Sequence, residues 1–180
     1  MAVEQWNLDL THSSISFWVR HLMVSKVHGK FTKWSGTLAF DEKTPTASRT
    51  QVKIDTASIS TEESQRDGHL RSGDFLEVEK YPHIEFASTS IAPAGDGFTV
   101  TGDLTIKGVK KPVKLDVEYA GRVKDPWGGE RVGFTARTTI SRKDFGLTWN
   151  QALDAGGVVV GDKVEIAIEV EAVKAAAAAA

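Results

Sequence analysis

Cysteine is absent from the chain. That removes disulfides, thiolate chemistry and every Cys-based zinc or iron–sulfur site, and it fits a reducing compartment. No apolar run approaches the roughly 18 residues a membrane-spanning helix needs. The opening MAVEQWNLDLTHSS has no basic segment followed by an apolar one, so no secretory signal is expected and the expected location is cytoplasmic. Net charge is only −2, which gives no basic footprint and no reason to invoke nucleic acid or an anionic membrane. Catalytic signatures are also missing. There is no GxSxG elbow. GGVVVGDK (Gly156 to Lys163) fails as a phosphate loop: its lysine comes one residue late, no Ser or Thr follows it, and a strand pattern stands where a helix is needed. No cofactor is expected.

What remains is an ordinary globular composition, 41% apolar and 26% charged over 180 residues, enough for one domain with a sizeable core. The domain is expected over 1–174, with the alanine-rich residues 175–180 as a disordered tail too short to hold a helix.

Most of the chain alternates apolar and polar residues at period two. In GFTVTGDLTIKG, Phe98, Val100, Leu104 and Ile106 share one face. PVKLDVEYAG places Val113, Leu115, Val117 and Tyr119 together, and SISFWVRH does the same with Ile15, Phe17 and Val19. WSGTLAFD presents Trp34, Leu38 and Phe40; QVKIDT presents Val52 and Ile54; HIEFAS presents Ile84 and Phe86. RVGFTARTTIS contributes Val132, Phe134, Ala136 and Ile140, and KVEIAIEVE contributes Val164, Ile166, Ile168 and Val170. Glycine- and proline-bearing turns separate these segments at 92–97, 125–129 and 154–157. Eight or nine antiparallel strands of about eight to ten residues predict an all-β fold. The even lengths favour a closed barrel over a sandwich.

Five blocks then follow in order: HSSISFWVRHLMVSKVHGKFTKWSGTLAFD, HLRSGDFLEVEKYPHIEFAS, GDLTIKGVKKPVKLDV, SRKDFGLTWN and VGDKVEIAIEVE. Together they resemble the YceI-like family, bacterial lipid-binding barrels, from about Trp6 to Val173. The resemblance implies an eight-stranded, extended, lipocalin-like barrel with one short helix and an elongated apolar interior. It implies non-enzymatic binding of a polyisoprenoid or quinone-like amphiphile. Many members carry a signal peptide and work in the periplasm, a pattern from which this opening departs. Members also tend to pair, so a homodimer is expected, with Trp18 on the polar face of its strand as an anchor.

The expected ligand-binding residues are the large inward side chains. They are Phe17, Val19, Phe31, Trp34, Leu38 and Phe40 early in the chain, and Ile54, Phe75, Phe86, Phe98, Val100, Leu104 and Ile106 in its middle. Phe134, Ile140, Phe145, Leu147 and Trp149 complete the set. Aromatic-lined cavities with few polar groups suit lipid-sized ligands. Asn150, beside Trp149, and Arg142 are the candidates to meet a polar head group.

The stretch STEESQRDGHLRSGDFLEVEKYPHIEFAS breaks the alternation with a dense set of charges. Ser60 and Glu63 fit a capping box, and Gly73 stands where a helix-ending glycine belongs. The spacing predicts a short helix over 61–71, with a solvated polar face and with Leu70, Phe75 and Leu76 docked on the barrel. A metal-dependent or acid–base hydrolase using His69, Asp67 and His83 is the competing reading, but their spacing matches no HExxH or EF-hand pattern. His21 and His28, seven residues apart, read as rim residues and not as a pair.

Overall fold

The computed structural model describes residues 3–154 and 156–176. Residues 177–180 of the alanine tail lie outside the described residues, while the Ala175 amide donates to the Gln5 carbonyl at 2.9 Å.

The strands are β1 (Glu4–Leu8), β2 (Ser14–His21), β3 (Ser25–Phe31), β4 (Trp34–Phe40), β5 (Arg49–Asp55) and β6 (Ile59–Ser60). After α1 (Ser64–Arg71), the one α-helix among the described residues, come β7 (His83–Ala94), β8 (Gly97–Ile106), β9 (Val109–Lys124), β10 (Glu130–Ser141) and β11 (Val160–Lys174). All pairings are antiparallel, and β1 pairs with β11 to close the sheet.

Eleven segments make an eight-stranded barrel because three of its strands are broken. Both β1 and β2 pair with β11. Likewise β4 pairs with β1 while β3 pairs with β2. Next in the ring, β5 pairs with β4 and β6 with β3. The breaks, at 9–13, 32–33 and 56–58, lie side by side across three neighbouring strands. In the first, the Asp9 carboxylate accepts from the Thr11 amide and hydroxyl and holds the chain out of the ladder. Elsewhere the strands outrun expectation. The turn between β8 and β9 takes only Lys107 and Gly108, both at positive φ, and β9 continues for 16 residues.

Alternation sets the register, since a one-residue slip would turn every apolar side chain outward. The inward side chains pack at two levels. Near one end Ile15, Ile54, Ile59, Leu76, Ile84, Leu104, Ile106, Ile140, Phe145 and Leu147 form one cluster. At the other end Trp6, Phe40, Val132 and Ala172 form a second, with Phe98, Tyr119 and Phe134 against it. The ring of Phe17 lies over Gly29 on the paired strand, so any Cβ at Gly29 would collide with it.

The helix starts differently from the capping-box expectation. Ser60 belongs to β6, and Glu63 is itself the N-cap, accepting from the amides of Gln65 and Arg66. The end is closed by Ser72, whose amide and hydroxyl both donate to the His69 carbonyl, so Gly73 plays no capping part.

Candidate functional site

Between the two packed levels runs a cavity of about 700 Å³. Every strand of the barrel contributes to its wall. Val52, Ile54, Ile84, Phe86, Phe98, Val100, Leu104, Val113, Leu115, Phe134, Ile140, Ile166 and Ile168 all face it, as their alternating pattern requires. Phe17, Val19, Phe31, Trp34, Leu38, Phe40, Phe75, Ile106, Leu147 and Trp149 face it as well.

One end is blind. Phe40 meets Phe134 edge-on at 5.2 Å, Tyr119 at 5.4 Å and Phe98 at 6.0 Å, so aromatic rings fill the cross-section. Beyond them the Tyr119 hydroxyl donates to the Glu42 carboxylate. Burial, then that carboxylate, pushes the Tyr119 phenol above its ordinary value. The other end is the mouth, where the lining includes the exposed residues Arg20, Glu63, Gln65 and Arg66. His69 edges onto Trp149 at 4.6 Å and Phe75 at 5.0 Å, so α1 and the 142–149 segment meet over the opening.

Three expected wall or head-group residues are committed elsewhere. Phe145 is 2% exposed and sits inside the packed cluster beside the mouth, not on the cavity wall. Asn150 is spent on the backbone: its Nδ2 donates to the Val160 carbonyl at 2.7 Å, and its Oδ1 accepts from the amides of Gln151 and Val160. Arg142 does face the cavity, but its guanidinium donates to the carbonyls of Gly161, Leu147, Trp149 and Val160. Burial lowers its pKa, against the weaker opposing pull of Asp162 at 3.8 Å. It ties loop to strand and has little left for a ligand.

The residues of the hydrolase reading do not converge. Asp67 is buried, and its Oδ1 accepts from the Thr61 amide at 2.8 Å and the Thr61 hydroxyl at 2.5 Å. His69 pairs with Asp74 at 2.8 Å, and His83 with Asp55 at 3.4 Å. Asp67 is therefore a structural anchor of α1 and not part of a solvated face. Asp67→Ala should cost roughly 2–3 kcal/mol, because it strips a charged acceptor from a buried amide. A urea denaturation midpoint that barely moves would show the anchor to be dispensable.

One group of metal-ligand type is brought together among the described residues: Asp9, His12 and Glu171. A cation already stands in it. Arg131 Nη1 donates to Asp9 at 2.9 Å and to Glu171 at 2.7 Å, and its Nε donates to Asp125 at 2.9 Å. Hydrogen bonds from Thr11, His12 and Arg131 hold the Asp9 carboxyl well below the usual carboxylate range, and the Asp9 bond raises the His12 imidazole. This cluster clasps β10 and β11 to the turn after β1, away from the cavity mouth.

Sequence reasoning placed His21 at the rim but missed the rest of the mouth: Gln65, Arg66 and His69 on α1, Val27 on β3, Val159 before β11 and Val160 at its start line it beside His21. The signal was there in part: the charged stretch interrupts the alternation where the chain crosses the barrel end.

Comparison with known proteins agrees with this geometry. A model of the YceI-like domain matches residues 6–172. A UPF0312 protein of Pectobacterium atrosepticum is 45% identical over 163 residues, covering 91% of this chain and 82% of that protein. The crystal structure of Burkholderia cenocepacia BcnA superposes with a TM-score of 0.81 at 27% identity, covering 92% of this chain and 99% of that one. A polyisoprenoid binding domain from Saccharophagus degradans superposes with a TM-score of 0.68, covering 96% of this chain and 99% of that one. At 18% identity it speaks for the fold alone.

Proposed function

This chain belongs to the YceI-like family, and on that premise we propose that it binds the tail of a long isoprenoid lipid or quinone-like amphiphile, without chemistry on it. The observation that carries the reading is the blind cavity of about 700 Å³, walled by apolar side chains from the whole barrel and open at one end. Tail burial supplies the affinity, at about 25 cal/mol per Å² of apolar surface removed from water. Directional groups are few along the wall, so the site selects for an apolar chain of fitting cross-section. A polar head group would rest at the mouth, against Gln65, Arg66 and His69 in place of Asn150 and Arg142. Arg66 donates its Nε and Nη2 to Thr61, which fixes the guanidinium at the rim.

Organic extraction of the purified protein, followed by mass analysis, tests this directly. About one long-chain apolar molecule should be released per barrel, and the emptied protein should take up a fluorescent isoprenoid probe with saturation. Empty extracts together with no saturable uptake would sink the proposal.

A further inference from the structure

The tip of the β2–β3 hairpin contradicts good folding chemistry. The Val24 amide closes a turn onto the His21 carbonyl at 3.1 Å, and both central residues, Leu22 and Met23, lie in the left-handed region at φ 51° and 62°. Such turns favour Asn-Gly, because larger side chains are strained there. Here the strained positions carry large apolar side chains that stay substantially exposed, with only the Met23 sulfur resting over Gly157. Leu22 is 40% exposed, Met23 62% and Val24 80%. The tip stands beside the cavity mouth, which its neighbours His21 and Val27 line.

Below the tip the outer face changes character. Arg20 pairs in register with Lys26, and Lys163 belongs to the bulged stretch of β11, between the Val160–His21 and Val164–Val19 pairs, whose Gly161 lies against Arg20. Among the described residues, no carboxylate lies within ion-pair distance of these three. One step further down, Lys26 Nζ sits 4.1 Å and the Arg20 guanidinium 5.7 Å from the ring of Trp18. The net charge of −2 conceals this segregation: from Leu10 to Phe40 the chain has Arg20, Lys26, Lys30 and Lys33 and not one Asp or Glu.

We propose that this hairpin docks on an anionic lipid bilayer, with Leu22, Met23 and Val24 in the acyl region and Arg20, Lys26 and Lys163 at the phosphates. An apolar wedge under a ring of cations with an aromatic at headgroup level is how peripheral elements grip a charged membrane. The cations fit lipid phosphates. Docking sets the mouth against the bilayer, so a tail passes between membrane and cavity without crossing water. That last step rests on the lipid-binding reading; the docking itself does not.

The test is flotation with vesicles of phosphatidylcholine plus phosphatidylglycerol, compared with phosphatidylcholine alone. Wild type should float with the anionic vesicles and lose this as salt rises. The triple variant Leu22→Asn, Met23→Gly, Val24→Ser should bind at least tenfold more weakly, yet melt at a higher temperature, because it relieves the turn. Lys26→Gln and Lys163→Gln should each weaken binding about fivefold. Wild type that stays unbound, or a tip variant that floats as well as wild type, overturns the proposal. So does a tip variant that turns a dimer into a monomer in sedimentation velocity while flotation is unchanged, since the partner would then be a second copy. Organic extraction separates the two readings. Tip-dependent flotation of a protein that yields no lipid keeps the docking and removes the carrier; a loaded protein that never floats does the reverse.

Discussion

Arg142→Leu should lower stability by roughly 3–5 kcal/mol, the range for stripping one partner from a buried charged network. The side chain is 3% exposed and donates to four carbonyls on two segments: Leu147 and Trp149 ahead of the loop, Val160 and Gly161 behind it. Leucine ends at Cδ, so the space of the buried guanidinium is emptied as well; the larger cost is carbonyls left without donors. Lysine should recover only a fraction. It keeps the charge but is a single point, and it cannot hold several acceptors in a planar fork. Urea denaturation of the two variants measures both effects. A leucine variant within about 1 kcal/mol of wild type would mean that water replaces the guanidinium and that Arg142 is free for another task.

The barrel was legible in the sequence because its information is periodic. Each inward position repeats every second residue, and ten-residue segments such as β8 repeat the message several times. The breaks in the first strands were not legible in that way. Asp9, Thr32 and Thr56 interrupt pairing without interrupting polarity, and the three gaps become one line only when the strands lie side by side. The same limit explains Asp67 and Arg142. Helical spacing puts Asp67 on a polar face, and only the approach of Thr61 makes it buried. Bonds from a side chain to a distant backbone leave no pattern along the chain. Turn chemistry even points the wrong way at Leu22 and Met23, where the residues that a tight turn prefers are absent.

Alternation also leaves one question open that decides the function: a barrel with these faces could be solid or hollow. Ala136→Phe addresses that point. Ala136 is buried on β10 between Phe134, which belongs to the aromatic plug, and Ile140, which belongs to the cluster near the mouth. It faces the cavity but is a member of neither packed group. A phenyl ring at this level should enter the space a lipid tail occupies and reduce affinity for an isoprenoid probe about 100-fold, equivalent to roughly 2.7 kcal/mol. Stability of the empty protein should change by less than about 1 kcal/mol, because the ring meets space and not neighbours. In a solid interior the same change would overpack the core and cost about 1–3 kcal/mol. The two measurements therefore move in opposite senses. A destabilised variant that binds the probe as wild type does would place the tail outside the barrel, whereas a stable variant that no longer binds locates it between Phe134 and Ile140.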